Sequence, residues 1–586
     1  MPDTSILSDA IEQLHSSVLD WWPSSSKLDN ETLKKRFPNR RGLVAGWRLP
    51  KALPNAPHDL LVVVDESFPW SLPLVALPDA VNGITYPHVE GDGHLCMVPA
   101  GSPFTLPVGL AHVTQLVGDA VTLLEEGKAS KNVNDFYREA QSYWSLVEHS
   151  PNNGWLAERP PSSHCVWTAA VDKVSGHYVI ASSKEVLNSW AKSGQRRFSG
   201  MFEPALVVQL DSPLHPQRYP LTMKDLIDLV NGAGAAVELS KAVSRWRGRN
   251  SLPIVLSFDH ENARVYLGAM LLTPKQVRMP GLKHSGIPGF RQGSKGKVSA
   301  RLQALCLVPN RFPHFRVTEV FREFLHNRTA GMTSEELKSA HVVVIGCGAI
   351  GGQLSVQLAQ AGVGKLTLID ADVMSWQNVG RHVLDSHDVG RTKALALELA
   401  IKRSFPDAAV LGIATKWEDW IQKHRAELER ADLVISVTGE PASNRHLDAL
   451  MSPGDMPPVL FGWMEPFGTA AHAVFCYPSN RRLCDITDER GLLTEPIVDL
   501  DTAPELPREP SCGAFYQPYS SLSSLSSTSL IGELALDALL GRVSKSVHRV
   551  WVGNVNEFSR NGLSLRPSWL SRINEFGDSR RYQFFI

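Results

Sequence analysis

Apolar residues at helical spacing open the chain: Ile6, Ile11, Leu14, Val18 and Leu19 predict an amphipathic helix over residues 4–22. Shorter apolar runs at Leu43–Leu49, Leu60–Val64 and Leu74–Leu77 are separated by proline-rich turns and predict strands. A loop follows Cys96, then a helix near Ala111–Glu126. The Pro- and Asn-bearing stretch 150–163 predicts a linker. Beyond it, runs at Cys165–Val171, Tyr178–Ala181, Leu206–Leu210, Ile254–Phe258 and Val265–Leu271 predict a second α/β block without a glycine fingerprint. Residues 281–297 are rich in glycine and basic residues and predict a solvated loop. A third block opens near 315 with a helix. The apolar run His341–Ile345 then leads into Gly346-x-Gly348-x-x-Gly351, and a second run, Lys365–Ile369, ends on Asp370. Leu433–Val437 and Ala470–Phe475 continue the alternation. Residues 478–512 are polar, proline-bearing and too long for an ordinary connection, which predicts a functional lid or crossing segment. The serine-rich run 520–529 keeps Leu522, Leu525 and Leu530 at helical spacing, so it predicts a helix continuing into Ile531–Leu540.

The pattern predicts a multidomain α/β and α+β protein. An N-terminal α+β domain covers 1–150, a linker 151–163, a central α/β domain 164–314, and a C-terminal Rossmann-like domain 315–586 with a mobile cysteine segment at 478–520. A length of 586 residues exceeds what one core supports, so three or four domains are expected. A formal net charge of −1 gives no pull toward nucleic acid or anionic membrane. No basic stretch followed by an apolar core opens the chain, and no apolar run approaches a membrane span, so a cytoplasmic protein is expected. Seven cysteines without a CxxC pair argue against structural zinc and a disulfide framework, and leave each thiol to be judged as a nucleophile.

The unit 341–370 predicts strand, glycine turn, helix and strand. Gly346 permits the tight turn, Gly348 lets backbone approach phosphate, and Gly351 lets helix pack on strand. Alone the motif is unspecific; its flanks narrow it. Asp370 opens a stretch containing Asn378, Arg381 and His382, and Gly390-Arg391-Thr392-Lys393 precedes a helix ending at Phe405-Pro406. This resembles the adenylating enzymes of the ThiF, MoeB and ubiquitin-activating superfamily. The resemblance implies ATP as cosubstrate, with Asp370 on the ribose and Asn378, Arg381 and Lys393 on the phosphates. Such cations suit the attack of a carboxylate on an α-phosphate, where negative charge collects. Two positions depart from the pattern. His382 stands where Gln is usual. Glu440 stands where the family has an Asp for Mg2+, five residues before Arg445; its carboxylate is a competent hard ligand one methylene further out. Arg322 and Arg328 are candidates for an arginine supplied to the phosphates.

Activating enzymes that form thioesters carry a cysteine in a mobile crossing segment. By that resemblance Cys512, in Glu509-Pro-Ser-Cys512-Gly, is the first nucleophile. Cys347 belongs to the glycine turn, Cys476 and Cys484 lack metal-ligand spacing, and Cys165 and Cys306 lie in strand-like apolar contexts. Near the N-terminus, Phe68-Pro69-Trp70-Ser-Leu-Pro73 is followed by Tyr86-Pro87-His88 and by Asp92-Gly93-His-Leu-Cys96. This resembles ubiquitin-conjugating enzymes. Tyr-Pro-His takes the place of their His-Pro-Asn, eight residues before the cysteine. The resemblance makes Cys96 the acceptor thiol and gives His88 the Asn's place, where an imidazole can donate one hydrogen bond to the oxyanion. A structural role for His88, or a docking role for the whole domain, is the alternative.

A conjugating-like domain, an extra α/β domain and an activating-like domain in one chain resemble the fused enzymes of bacterial type II CBASS antiphage operons. The central block matches that family's inactive adenylation-like domain by position only. The resemblance implies adenylation of a protein C-terminus with MgATP, a thioester on Cys512, transfer to Cys96, and an amide on a target amine. It also implies a cGAS-like nucleotidyltransferase as the carried protein, and a homodimer. The alternatives are a sulfur-carrier adenylyltransferase, a conjugating system for a separate ubiquitin-like protein, a nicotinamide oxidoreductase, and a scaffold. The sulfur-carrier reading leaves the Cys96 region without a task, and the oxidoreductase reading does the same for Asn378, Arg381, Lys393 and Cys512.

Overall fold

The computed structural model describes residues 4–79, 86–98, 102–147, 153–246, 251–272, 302, 305–306, 311–321, 325, 335–406, 408–451, 456–478, 480–499, 518–576 and 581–585. The chain forms two compact units, one of residues 1–187 and 198–318, the other of 188–197 and 319–586.

In the first unit a four-stranded antiparallel sheet runs in order β1 (Ser26–Lys27), β2 (Leu43–Leu49), β3 (Leu60–Asp65), β4 (Leu74–Ala76). Alternation in β2 turns Ala45, Trp47 and Leu49 into one core with Leu60, Val62 and Val64 of β3. The helix Leu110–Lys128 covers this face with Val113, Leu116, Val117, Ala120, Val121 and Leu124, which recur at helical spacing. The helix Thr4–Trp21 adds Leu14 and Val18 to the same core. Beyond β4 the chain makes two isolated bridges, Ala76 with His94 and Val89 with Leu95. These fix the loop that presents Cys96.

The middle of the chain, expected as an α/β block, is a closed barrel of β5 (Gly154–Leu156), β6 (Cys165–Asp172), β7 (Tyr178–Ala181), β8 (Phe198–Gln209), β9 (Leu252–His260), β10 (Ala263–Leu271) and β11 (His314–Glu319). The helices Met223–Gly232 and Ala236–Arg245 lie between β8 and β9 and share a core with them. Gly154–Leu156, inside the stretch read as a linker, is a strand paired in parallel with β7. Three apolar residues are too few for periodicity to reveal; the barrel supplies their partner. Two helices inside the first 150 residues also pack here. Phe136, Ala140, Tyr143 and Trp144 share the core of Leu206, Leu226 and Phe312, and Trp144 Nε1 donates to the Gly268 carbonyl at 2.7 Å.

The second unit holds an eight-stranded sheet in order β14 (Ala409–Ile413), β13 (Lys365–Ile369), β12 (His341–Ile345), β15 (Leu433–Ser436), β16 (Val459–Met464), β17 (Ala470–Cys476), β18 (Val547–Val552), β19 (Arg581–Phe585). The first five strands are mutually parallel and the last three antiparallel. Every residue of β12 is buried, the mark of a strand covered on both faces. The helices Ala349–Gln360 and Ser521–Leu539 pack side by side; the latter buries Leu530, Ile531, Leu534 and Ala535 and includes the serine-rich run. The strand order reverses at β12, and an open α/β sheet binds ligands at the carboxyl ends beside such a reversal.

Candidate active sites

The turn after β12 lies at that reversal. Gly346 has φ of 93°, a left-handed conformation that glycine adopts without strain, and its N–H donates to Ile369 O at 2.9 Å. A side chain on Gly351 would land on the Gly346 carbonyl, so the helix Ala349–Gln360 seats against the turn only without one. A Cβ on Gly348 meets nothing within 4 Å. Gly348 is the N-cap of that helix and faces the mouth of a cavity of about 380 Å³. The helix start thus offers free N–H groups and the positive end of its dipole to an anion.

Asp370 closes β13 and reaches the same turn. One carboxylate oxygen accepts from Cys347 N–H at 2.6 Å and the other from Asp372 N–H at 2.7 Å. Lys393 begins the helix Lys393–Ser404, is buried, and pairs with Asp372 through Nζ at 2.8 Å. Asn378 Oδ1 accepts from Ser375 N–H at 3.1 Å and its hydroxyl at 3.0 Å, while the Asn378 carbonyl accepts from Arg381 and His382 N–H. Asn378 therefore shapes the loop that carries Arg381. The Arg381 guanidinium stacks 4.9 Å over the ring of Tyr519, a residue lining the cavity.

His382 has a structural task that the sequence did not reveal. Its Nε2–H donates to Cys347 O at 2.7 Å, and its Nδ1 accepts from Leu384 N–H at 3.0 Å, which assigns the tautomer. Burial, aided by Lys393, holds its pKa below the usual histidine range, so the ring braces the glycine turn as a neutral group. Burial raises the Cys347 thiol far up, with Asp370 adding to it, so that residue is inert packing.

Glu440 is exposed and caps the helix Pro441–Leu450; its N–H donates to Thr438 Oγ1 at 3.2 Å. Among the described residues no group of three His, Cys, Asp or Glu side chains gathers to hold a metal. Magnesium bound with nucleotide needs only one or two carboxylates beside phosphate oxygens, so a single Glu440 carboxylate is chemically sufficient. The uncrowded face of Gly348, the free helix start and the cationic Lys393 and Arg381 around one turn fit a nucleotide triphosphate.

From the turn the cavity continues past Val437, Thr438 and Asn444 to Trp463, Met464 and Glu465, and under the crossing segment at Leu483, Thr487, Leu492, Leu493 and Pro496. Among the described residues its lining is mostly apolar and contains no Lys or Arg. The candidates Cys512, Arg322 and Arg328 lie outside the described residues.

In the first unit Cys96 is exposed and opens on a groove of about 340 Å³ lined by Leu72, Leu74, Met97, Phe104 and Leu116. Its N–H donates to His88 O at 2.8 Å. His88 has φ of 59°, and its N–H donates to the Tyr143 hydroxyl at 2.7 Å. Its ring sits between two carboxylates, 3.2 Å from Asp135 and 3.4 Å from Glu139. Tyr143 also donates to Glu139 at 3.1 Å. His88 is thus tied to Cys96 through backbone, and its ring faces acids from the helical segment 133–147. Burial raises the Cys96 thiol pKa, with Glu90 and Glu139 adding to it and Arg40 opposing. Arg40 bonds Asp92 at 2.6 Å and Glu90 at 2.7 Å, which braces the loop. Tyr143, Asp135 and Glu139 escaped sequence reasoning because they lie some fifty residues beyond the motif, with no local signal.

Residues 21–151 match the prokaryotic E2 family B, and residues 323–457 match the ThiF family. One chain thus carries an E2-like segment and a ThiF segment, as the resemblance to fused activating and conjugating enzymes leads one to expect. An "ATP-dependent ubiquitin transferase-like protein Cap2" of Pseudomonas aeruginosa is 33% identical over 223 residues, 36% of this chain and 38% of that protein. A protein of the same name from Escherichia coli is 23% identical over 505 residues, 80% of this chain and 82% of that protein. The E. coli molybdopterin-synthase adenylyltransferase is 34% identical over 116 residues, 20% of this chain and 46% of that protein. Cys96 and His88 fall inside the E2 segment. The glycine turn, Asp370, Asn378, Arg381, Lys393 and Glu440 fall inside the ThiF segment. No helix among the described residues is long and apolar enough to cross a membrane.

Proposed function

We propose that this chain activates the C-terminal carboxylate of a protein with MgATP and conjugates it to an amine through two successive thioesters. The carboxylate attacks the α-phosphorus of ATP and pyrophosphate leaves. The Cys512 thiolate then attacks the acyl carbon and releases AMP. The Cys96 thiolate takes the acyl group and frees Cys512. An amine nitrogen displaces Cys96, losing a proton as the amide forms. The glycine turn and the helix start behind it bind the phosphates, Asp370 holds the ribose, and Lys393, Asn378 and Arg381 meet the phosphate charge. Glu440 would hold magnesium, which would supply positive charge against the triphosphate. At Cys96 the neighbouring Glu139 and Glu90 draw in a cationic amine, which must give up a proton before its nitrogen attacks the thioester. The carried protein is a cGAS-like nucleotidyltransferase, the reaction belongs to antiphage defence in the cytoplasm, and the enzyme works as a homodimer.

The observation that carries this reading is the pairing of a ThiF segment, whose glycine turn opens on an elongated apolar cavity, with an E2 segment whose motif cysteine is exposed. A sulfur-carrier adenylyltransferase has no use for the second of these. ATP–pyrophosphate exchange tests the first step. Exchange by the wild type that drops about a hundredfold or more in Lys393→Ala, as for loss of a transition-state charge contact, supports it. Wild-type exchange in Lys393→Ala would remove that lysine from the phosphate site.

A further inference from the structure

Among the described residues lining the cavity one carries a carboxylate, Glu465, and that carboxylate is fully engaged. Glu465 is 5% exposed and sits at the end of β16. Its Oε1 accepts from Ile497 N–H at 2.7 Å and from His472 Nε2 at 2.9 Å; its Oε2 accepts from Val498 N–H at 2.8 Å. His472, wholly buried on β17, meets His548 of β18 at 3.0 Å between Nδ1 and Nε2. In the arrangement that gives each contact one donor, His472 donates from Nε2 to Glu465 and accepts at Nδ1 from the His548 Nε2–H. The Trp463 ring, which lines the cavity, stacks on His472 at 5.2 Å. One buried acid is therefore tied both to the β16 wall of the cavity and to the end of the segment that roofs it.

We propose that Glu465 is a positioning residue, holding the crossing segment Leu483–Val498 against β16 so that the cavity keeps the bore for an extended polypeptide tail. The tail rests on the adenylation reading above; the anchoring does not. Asp448 accepts from Leu483 N–H at 3.0 Å and Cys484 N–H at 3.2 Å and anchors the start of the segment, while Arg566 N–H to Ile497 O at 3.0 Å and Asp499 N–H to Ser564 O at 2.8 Å hold its end from the side away from β16. On the side facing β16, the end of the segment is held by the buried N–H groups of Ile497 and Val498, whose acceptor is this carboxylate. A neutral amide in its place offers one acceptor oxygen for three donors, and an unmet buried donor opens local structure.

Hydrogen–deuterium exchange on the full chain tests this with Glu465→Gln and Glu465→Asp. Glu465→Gln raises exchange over 487–498 by about tenfold or more, leaves β13 protected, and Glu465→Asp recovers part of the protection. The functional arm uses whichever free-carboxylate peptide from a synthetic library drives ATP–pyrophosphate exchange in the wild type. There Glu465→Gln raises KM for the peptide about tenfold with KM for ATP unchanged, a loss of about 1.4 kcal/mol in binding. Unchanged exchange over 487–498 in Glu465→Gln, or an equal rise in β13, overturns the anchor. A wild type inert with every peptide sinks the adenylation reading, and the exchange arm still decides the anchor.

Discussion

Gly348 and Gly351 stand three residues apart in one turn and answer to different constraints. At Gly351 any side chain collides with the Gly346 carbonyl, so the requirement is internal to the fold. At Gly348 there is room, so a requirement for glycine there comes from what the turn binds. Gly348→Ala should keep the wild-type melting temperature yet weaken ATP binding by about tenfold, read by calorimetric titration. Gly351→Ala should lower the melting temperature outright. A Gly348→Ala protein that binds ATP like the wild type would show that phosphate does not approach this backbone. Cys96 is a second residue whose setting differs from what its motif suggests. Partial burial and the charges of Glu90 and Glu139 raise its thiol, so the resting loop favours the protonated form.

Among the elements, β16, β17 and β18 meet in the Glu465–His472–His548 chain, and this gives the second unit a defined response to acid. Burial, with His472 adding to it, pushes the His548 pKa down to about 3. The folded ring is neutral, whereas an unfolded chain takes up its proton near the ordinary histidine pKa of about 6.5. Its contribution is fully present above about pH 6.5 and is lost as pH falls toward 3. Thermal melts of the wild type from pH 7.5 down to about 4.5 should show the second unit losing stability, with His548→Phe losing less over that range. Equal slopes in the two proteins would remove His548 from the acid response.

The same elements show what the sequence made legible. β12 and β13 were readable because their apolar runs are bounded by a glycine turn and an acid. The helix Ser521–Leu539 was readable through its leucines despite the serines between them. β18 and β19 gave no signal, since His548, Arg549 and Arg581 interrupt their alternation and only pairing with β17 makes them strands. β5 is three residues long and exists because β7 lies beside it. At the sites, the glycine turn, Asp370 and Cys96 carry local motifs. Tyr143 and Glu139 reach His88, and Glu465 reaches Ile497, across 32 to 55 residues, a distance over which spacing in one sequence says nothing.

The whole molecule joins two kinds of site. The second unit holds a nucleotide-type turn that opens on an apolar cavity, and the first presents an exposed thiol in an E2 segment. A chain that only adenylated would have no use for the thiol, and one that only conjugated would have no use for the turn. The proposed relay orders them: Cys512 is charged first and Cys96 second. Intact-mass analysis after incubation with MgATP and the proteins encoded by adjacent genes reads that order directly, using wild type, Cys96→Ala and Cys512→Ala. The account predicts a thiol-sensitive adduct of one carried protein on Cys512 in Cys96→Ala, and no adduct on either cysteine in Cys512→Ala. Normal charging of Cys96 in Cys512→Ala would contradict it.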